Sequence, residues 1–229
     1  APNAGYLARR WWQGPNGRSY ESYGGEGGIP KQQRPLKRNP AADPFMPHRA
    51  GEQRPAAVRC LILYPMNALV EDQLSRLRKA LDSARARECM AQCFNGNRIF
   101  FGRYTSDTPV TGFNVHPRKA AADDWERRAR QLGKLFAEMV EYERTQRNVE
   151  TLIARREADE DDRYLFPSVD GAELLSRWDM QAFPPDLLIT NVSMLGAMLN
   201  REVDAPIFER TRRWLQSEDA YFYLVLDEL

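Results

Sequence analysis

The chain has 229 residues, of which 42% are hydrophobic and 28% charged, so collagen-like, silk-like and wholly disordered classes are excluded. It contains no apolar run of the roughly 20 residues that a membrane span needs, and its first residues lack the profile of a secretory signal. We therefore expect a cytoplasmic protein with no membrane partner. Its 33 basic and 32 acidic residues leave a formal charge of +1, so a nucleic-acid site would have to be local.

Residues 1–56 are rich in glycine and proline, which disfavours regular helices and central strands. The first fifty positions hold eight basic and three acidic residues. This composition predicts a solvated linker. The alternative is a basic arm that contacts phosphates, with Trp11 and Trp12 as anchors.

The three cysteines, Cys60, Cys89 and Cys93, are accompanied only by the isolated His48 and His116. A tetrahedral zinc site needs four ligands, and this set offers no usual spacing for them. We expect no structural metal, and buried or inert thiols in a reducing compartment.

The first predicted strand is the near-continuous apolar run 57–64, which ends at Pro65. Such a run is typical of a strand buried on both faces of a parallel sheet. A helix follows with Asn67 as its N-cap and with apolar residues at helical spacing: Val70, Leu74, Leu77 and Leu81. Strand and helix together form half of a βαβ unit.

The second and third predicted strands lie on either side of a long insertion. Residues 98–104 lead into the hydroxyl-rich loop 105–109. Residues 186–191 form the third strand, and Ser193 is the expected cap of a short helix that ends at Leu199.

The last helix opens at Asp204 and Pro206 and is followed by an apolar strand within residues 221–229. Four strands then alternate with helices. The predicted fold class is α/β, with a mainly parallel sheet flanked by helices and with functional loops at the carboxyl ends of the strands.

Residues 112–183 are predicted to be a charged helical insertion in the domain 57–229, because one crossover helix needs far fewer residues. Within it, residues 121–163 are helical in composition and should form a hairpin or arm outside the sheet. Its apolar stripe favours packing on its own domain over a dimerisation coil. The stripe consists of Trp125, Ala129, Leu132, Phe136 and Met139.

Two adjacent carboxylates, Asp227 and Glu228, follow the last apolar strand. At the edge of a parallel sheet, one such group can hold Mg²⁺ through water while the other orients or deprotonates an attacking water. The pair is therefore a candidate catalytic site.

Four segments lie in order at or beside the predicted strands: YPMNALVEDQ (64–73), GRYTSDTP (102–109), PDLLITNVSML (185–195) and LVLDEL (224–229). They resemble, in that order, motifs Ia, Ib, Ic and the start of motif II in the first RecA-like domain of superfamily-2 DExH-box helicases, over parts of residues 57–111 and 184–229. The sequences YPMNALVEDQ and DEL also resemble large bacterial helicases of phage-defence and DNA-repair systems, including the DISARM type.

The resemblance implies an ATP-driven motor on nucleic acid, with DNA as the expected partner and with ATP and Mg²⁺ as cofactors. Asp227 would bind Mg²⁺ through water, and Glu228 would serve the attacking water. A helix N-terminus and neutral hydroxyls can hold phosphates without reading bases. The implied nucleic-acid contacts are Pro65, Asn67, Gln73, Arg103, Thr105, Thr108, Thr190 and Asn191.

Simpler structural roles stay open for several of these residues. Pro65 can merely end a strand and Gln73 can be a solvated helix position. Arg103 can be a surface charge, and Thr190 and Asn191 can cap a turn.

The sequence departs from the helicase pattern because it contains no G-x-x-x-x-G-K-[ST] phosphate loop. Ser106 stands where motif Ib often has glycine, and motif Ic lacks its usual proline. We therefore interpret the chain as an internal piece of a larger helicase, whose phosphate-loop segment and second RecA-like domain are its partners. The insertion offers a surface for a protein partner. The alternative function is a non-catalytic helicase-like scaffold that binds DNA or a protein.

Overall fold

The computed structural model describes residues 45, 47–49, 52, 54–65 and 68–227. The strands are β1 (Cys60–Tyr64), β2 (Phe101–Arg103), β3 (Leu187–Asn191) and β4 (Tyr223–Leu226). The helices are α1 (Ala68–Asp82), α2 (Ala84–Cys93), α3 (Ala121–Ala154), α4 (Arg177–Ala182), α5 (Val192–Leu199) and α6 (Ala205–Trp214), with short 3-10 helices at Glu160–Tyr164 and Glu202–Asp204.

The four strands form one parallel sheet in the order β2-β3-β1-β4. In this register Tyr64 lies opposite Asn191, and Leu63 lies opposite Leu226. The predicted α/β fold with a parallel sheet flanked by helices is confirmed. Parallel pairing brings the carboxyl ends of all four strands to one edge.

The main hydrophobic core is formed by the sheet together with α1 and residues of α5 and α6, among them Met198 and Ile207. Leu61 and Leu63 of β1 are buried, and they belong to the same cluster as Val70 and Leu74 of α1. The helical spacing of the apolar residues predicted this contact. The sheet is therefore anchored by its two central strands, β1 and β3.

Gly102 in β2 permits a close approach between the sheet and the end of the insertion. A Cβ atom at this position would lie 2.9 Å from the sulfur of Met180 and 3.1 Å from the carbonyl oxygen of Leu174. Beside it, Phe101 N–H donates to Ala172 O (3.1 Å) and Leu174 N–H donates to Phe101 O (2.7 Å). The outer edge of β2 is thus covered by the returning chain.

The insertion contains one long helix, α3, with a hydrophobic cluster of its own. The predicted stripe packs against Val110 and Trp178, so the expectation that it packs on its own domain is confirmed for the four residues whose side chains the structure describes. These are Ala129, Leu132, Phe136 and Met139. Of the two expected forms, hairpin or arm, the hairpin is wrong, because α3 is one unbroken helix from Ala121 to Ala154.

The predicted linker 1–56 lies mostly outside the described residues, Trp11 and Trp12 included. Where it is described, it is not a solvated linker. Phe45 packs edge-on against Trp178 at 5.7 Å between ring centroids, and His48 and Arg49 are buried. The linker prediction is wrong for these residues. Phe45 belongs to the hydrophobic cluster around α3, and His48 and Arg49 pack against Phe100 of the main core.

Asp186, just before β3, joins the amino end of the sheet to the segment that precedes β1. Its carboxylate accepts hydrogen bonds from Arg49 (3.1 Å), Arg54 (2.8 Å), Arg59 and the backbone N–H of Phe100 (2.9 Å). A buried carboxylate with this many donors is well compensated. This cluster is structural and lies at the sheet end opposite the predicted loops.

The thiols were predicted to be buried or inert, and burial is wrong for two of the three. Cys89 and Cys93 are exposed on α2, with their sulfur atoms 4.0 Å apart, and Cys60 is half-buried. Helical spacing of four residues places both on one face.

None of the helices in the described ranges is long and apolar enough to cross a membrane.

Candidate functional site

The carboxyl edge of the sheet brings together residues that are far apart in the sequence. Tyr64, Asn191 and Asp227 end or follow the adjacent strands β1, β3 and β4. Asp227 N–H donates to Leu63 O at 3.1 Å, which continues the pairing of β4 with β1 beyond the last strand residue. The strand register therefore places a tyrosine, an asparagine and an aspartate next to one another at this edge.

Asp227 has electrostatic influence at this edge. Burial raises the pKa of the Tyr64 hydroxyl above its usual value, and the negative charge of Asp227 raises it further. Asp227 is partly exposed and forms no salt bridge with any residue that the structure describes. Tyr64 was not predicted as a site residue, although its position at the end of the first apolar run was a usable signal.

The remaining predicted residues near this edge have different environments. Pro65 is exposed, and Gln73 is half-buried on α1. The Asn191 side chain accepts a hydrogen bond from Met194 N–H at 2.7 Å and caps α5, so the expected cap Ser193 is wrong. Asn67 and Glu228 lie outside the described residues.

The three predicted threonines are buried and hydrogen-bonded internally. Thr190 Oγ1 donates to Tyr104 O (2.6 Å), and Thr108 Oγ1 donates to Arg103 O (2.7 Å). Thr108 Oγ1 also accepts from Thr105 N–H (2.9 Å). In this structure the hydroxyls shape the loop and are not presented to a phosphate. The loop residues that are exposed are Ser106 and Asp107.

Arg103, the last residue of β2, forms an ion pair with Glu71 in the first turn of α1. The side chains are 24% and 54% exposed. The prediction named Arg103 but missed Glu71, because 32 residues separate the two and no local spacing connects them. Arg103 is thus a cation at the edge that already has an acidic partner.

Tyr104 connects the β2 end to the insertion and to α6. Its hydroxyl donates to Asp204, while Gln181 Nε2 donates to the same hydroxyl (3.0 Å) and to Asp204 (2.9 Å). Arg201 completes the network through Asp204 (2.7 Å). All four groups are satisfied, so the network fixes the start of the loop that follows β2.

The described residues contain no group of three or more potential metal ligands. Asp227 is a single hard oxygen donor at the edge, which suits a Mg²⁺ ion that retains most of its water. Two cavities, of about 310 and 270 Å³, lie elsewhere in the described part of the chain. The second has an almost wholly apolar lining that includes Leu188, Leu195, Phe208 and Phe222.

The chain is similar to Druantia protein DruE of Escherichia coli (strain UMEA 4076-1), with 30% identity over 196 residues. The match covers 74% of this chain and 10% of that protein. The chain therefore spans about a tenth of the length of this curated relative. No family model matches the sequence, and no solved structure matches it significantly.

Proposed function

We propose that the chain is part of an ATP-dependent DNA helicase or translocase that acts in bacterial antiviral defence. It would contribute loops that contact the nucleic acid, and carboxylates that act in ATP hydrolysis. The similarity to Druantia protein DruE, together with the helicase-like motifs of the sequence, supports this proposal. The parallel α/β sheet is compatible with it, because such sheets bind ligands at the carboxyl ends of their strands.

One observation carries the proposal. Each of the segments that resemble motifs Ia, Ic and II contains the carboxyl end of one of three adjacent strands, at the same edge of one sheet. Tyr64 and Asn191 are more than a hundred positions apart, and a whole crossover connection separates Asn191 from Asp227. The strand register nevertheless aligns the three residues. An ordered set of motifs on one edge is the arrangement that a shared ligand site needs.

Asp227 and Glu228 are the proposed catalytic pair. Asp227 is held by its backbone bond to Leu63 and keeps its carboxylate free of salt bridges within the described part of the chain. It would hold Mg²⁺ through water, and that ion, when bound with ATP, would neutralise charge on the phosphates. Glu228 would orient the attacking water and take up its proton.

The proposed DNA contacts follow from exposure. Pro65, Gln73, Arg103 and Asn191 are reachable or half-buried near the edge, and Asn67 lies in the same loop region by sequence. For Thr105, Thr108 and Thr190 we propose an indirect role, since they hold the loop and the strand end in place. Contacts of this kind recognise phosphate and sugar, so little sequence preference is expected.

The rest of the protein is the proposed partner of β4. All four of its side chains are more than 40% exposed, although the strand is apolar: Tyr223, Leu224, Val225 and Leu226. Parallel sheets are normally covered on both faces. The phosphate-loop segment and the second RecA-like domain would supply such cover.

The test is nucleic-acid-stimulated ATP hydrolysis by the full-length protein. Glu228→Gln should reduce hydrolysis by roughly a hundredfold or more while ATP still binds, because the change removes only the group that positions water. Glu218→Gln, in the exposed loop before β4, is the matched control and should hydrolyse ATP normally. Normal hydrolysis by Glu228→Gln would contradict the catalytic assignment of Glu228, whereas absence of hydrolysis by the wild-type protein would favour the scaffold alternative.

A further inference from the structure

Two ion pairs lie next to each other where β2 faces α1. Arg78 of α1 binds Glu173 through two hydrogen bonds of 2.6 and 3.0 Å. Arg103 of β2 binds Glu71 of α1. The second Nη atom of Arg78 is also 3.9 Å from Glu71. The four side chains therefore form one cluster of two cations and two anions.

The two pairs differ in how firmly their partners are fixed. Arg78 and Glu173 are only 4% and 5% exposed, and Arg78 also donates to the carbonyl oxygens of Tyr164 (3.3 Å) and Leu165 (3.0 Å). Separating buried charges of this kind is costly. Arg103 and Glu71 are 24% and 54% exposed, and exposed pairs exchange partners at little cost.

The surroundings leave Glu71 as the acid that neutralises Arg103. Glu173 already accepts both of its hydrogen bonds from Arg78, and Tyr142 of α3, which lies near both arginines, has its pKa raised by burial and is uncharged at neutral pH. The four charges sum to zero. Removing the charge of Glu71 would leave Arg103 as a cation at the end of β2 without compensation.

We propose that Glu71 competes with nucleic-acid phosphate for Arg103, so that a phosphate binds this guanidinium only by displacing the Glu71 carboxylate. The inference rests on the proposed function, because it assigns a regulation to the same DNA-binding edge. Displacement has a consequence for salt dependence. The released carboxylate takes up a counterion, which offsets the counterion that the phosphate gives up.

The experiment measures binding of a fluorescein-labelled oligothymidylate to the full-length protein by anisotropy, at several sodium chloride concentrations. Glu71→Gln should tighten binding roughly threefold to tenfold. It should also steepen the salt dependence by about 0.7 in log–log slope, the value of one single-strand phosphate. The gain should vanish in Glu71→Gln combined with Arg103→Gln, because the competition concerns that guanidinium alone.

Asp161→Asn is the matched control, since it changes the net charge equally and frees Lys79 at the far end of α1 from an exposed pair. Thermal unfolding checks that each variant is folded. If Glu71→Gln is not folded, Glu71→Ala replaces it in the same measurements. An unchanged affinity, a gain no larger than that of Asp161→Asn, or a gain that persists without Arg103 overturns the inference while DNA binding stands. Absence of DNA binding by the wild type overturns the proposed function as well.

Discussion

Burial separates two kinds of polar residue in the motif segments. Threonine hydroxyls next to a strand end are equally suited to phosphate contact and to internal hydrogen bonds, so their sequence pattern cannot distinguish the roles. Thr105 and Thr190 are fully buried in this structure, and Thr108 is nearly so. Their hydroxyls are therefore expected to affect stability before they affect binding.

Thr190→Val tests this expectation because it keeps the shape of the side chain and removes the donor to Tyr104 O. The free energy of unfolding should fall by about 1–3 kcal/mol, since a buried carbonyl loses its partner. Urea denaturation gives the value. Thr151→Val is the control: its hydroxyl bonds to Arg147 O at 2.8 Å in the same way but is exposed on α3. Equal losses in the two variants would contradict the prediction.

Asp179 links stability to pH. Burial raises its pKa from 3.8 to about 7, against the hydrogen bonds from His48 N–H and Ser176 that lower it. Between pH 4 and 7 the folded protein therefore binds more protons at this site than the unfolded chain, so this contribution to stability is lost as the pH rises.

Asp179→Asn removes that dependence. The stability of the wild type minus that of Asp179→Asn should decrease steadily from pH 4 to pH 7 and then level off. Burial of His48 lowers its pKa to about 4, which acts in the opposite direction, but His48 is present in both proteins and its effect cancels. Denaturant titrations at several pH values provide the test, and a pH-independent difference would contradict it.

At the scale of elements, the periodicity of the sequence predicted the strands and helices, but it could not predict the contacts between distant segments. The apolar runs and the helical spacing after Pro65 predicted the strands and α1, because burial on a sheet imposes those periods. They could not predict that α3 is one helix, since a hairpin would carry the same charged composition. Nor could they predict the Arg103–Glu71 pair or the burial of Arg49, which depend on which segments meet in space.

The α3 helix is expected to be structural in its first half. Leu132→Ala should lower the free energy of unfolding by about 2–5 kcal/mol, because Leu132 is fully buried in the second cluster beside Trp178. Leu152→Ala, near the exposed end of the same helix, should change it by less than about 0.5 kcal/mol. Chemical denaturation distinguishes the two. A negligible effect at Leu132 would mean that α3 is dispensable for the fold.

At the scale of the whole molecule, the carboxyl edge would provide only part of what the proposed ATP hydrolysis needs. The sequence contains no phosphate-loop motif, so the 229-residue chain alone should neither bind ATP tightly nor hydrolyse it. Isothermal titration and a phosphate-release assay check this. Steady turnover by the isolated chain that Glu228→Gln abolishes would show that another segment replaces the missing loop.

The position of β4 at the margin of the sheet makes backbone protection uneven across the strands. The backbone of β4 pairs with β1 alone, and its side chains are exposed. In contrast, β1 lies between β3 and β4 and is largely buried. Amide hydrogens of β4 would exchange with deuterium through local opening, and those of β1 only through opening of most of the domain. The strand that leads to the proposed catalytic pair is thus the least protected part of the described sheet, and the neighbouring segments proposed above would slow its amide exchange by covering it.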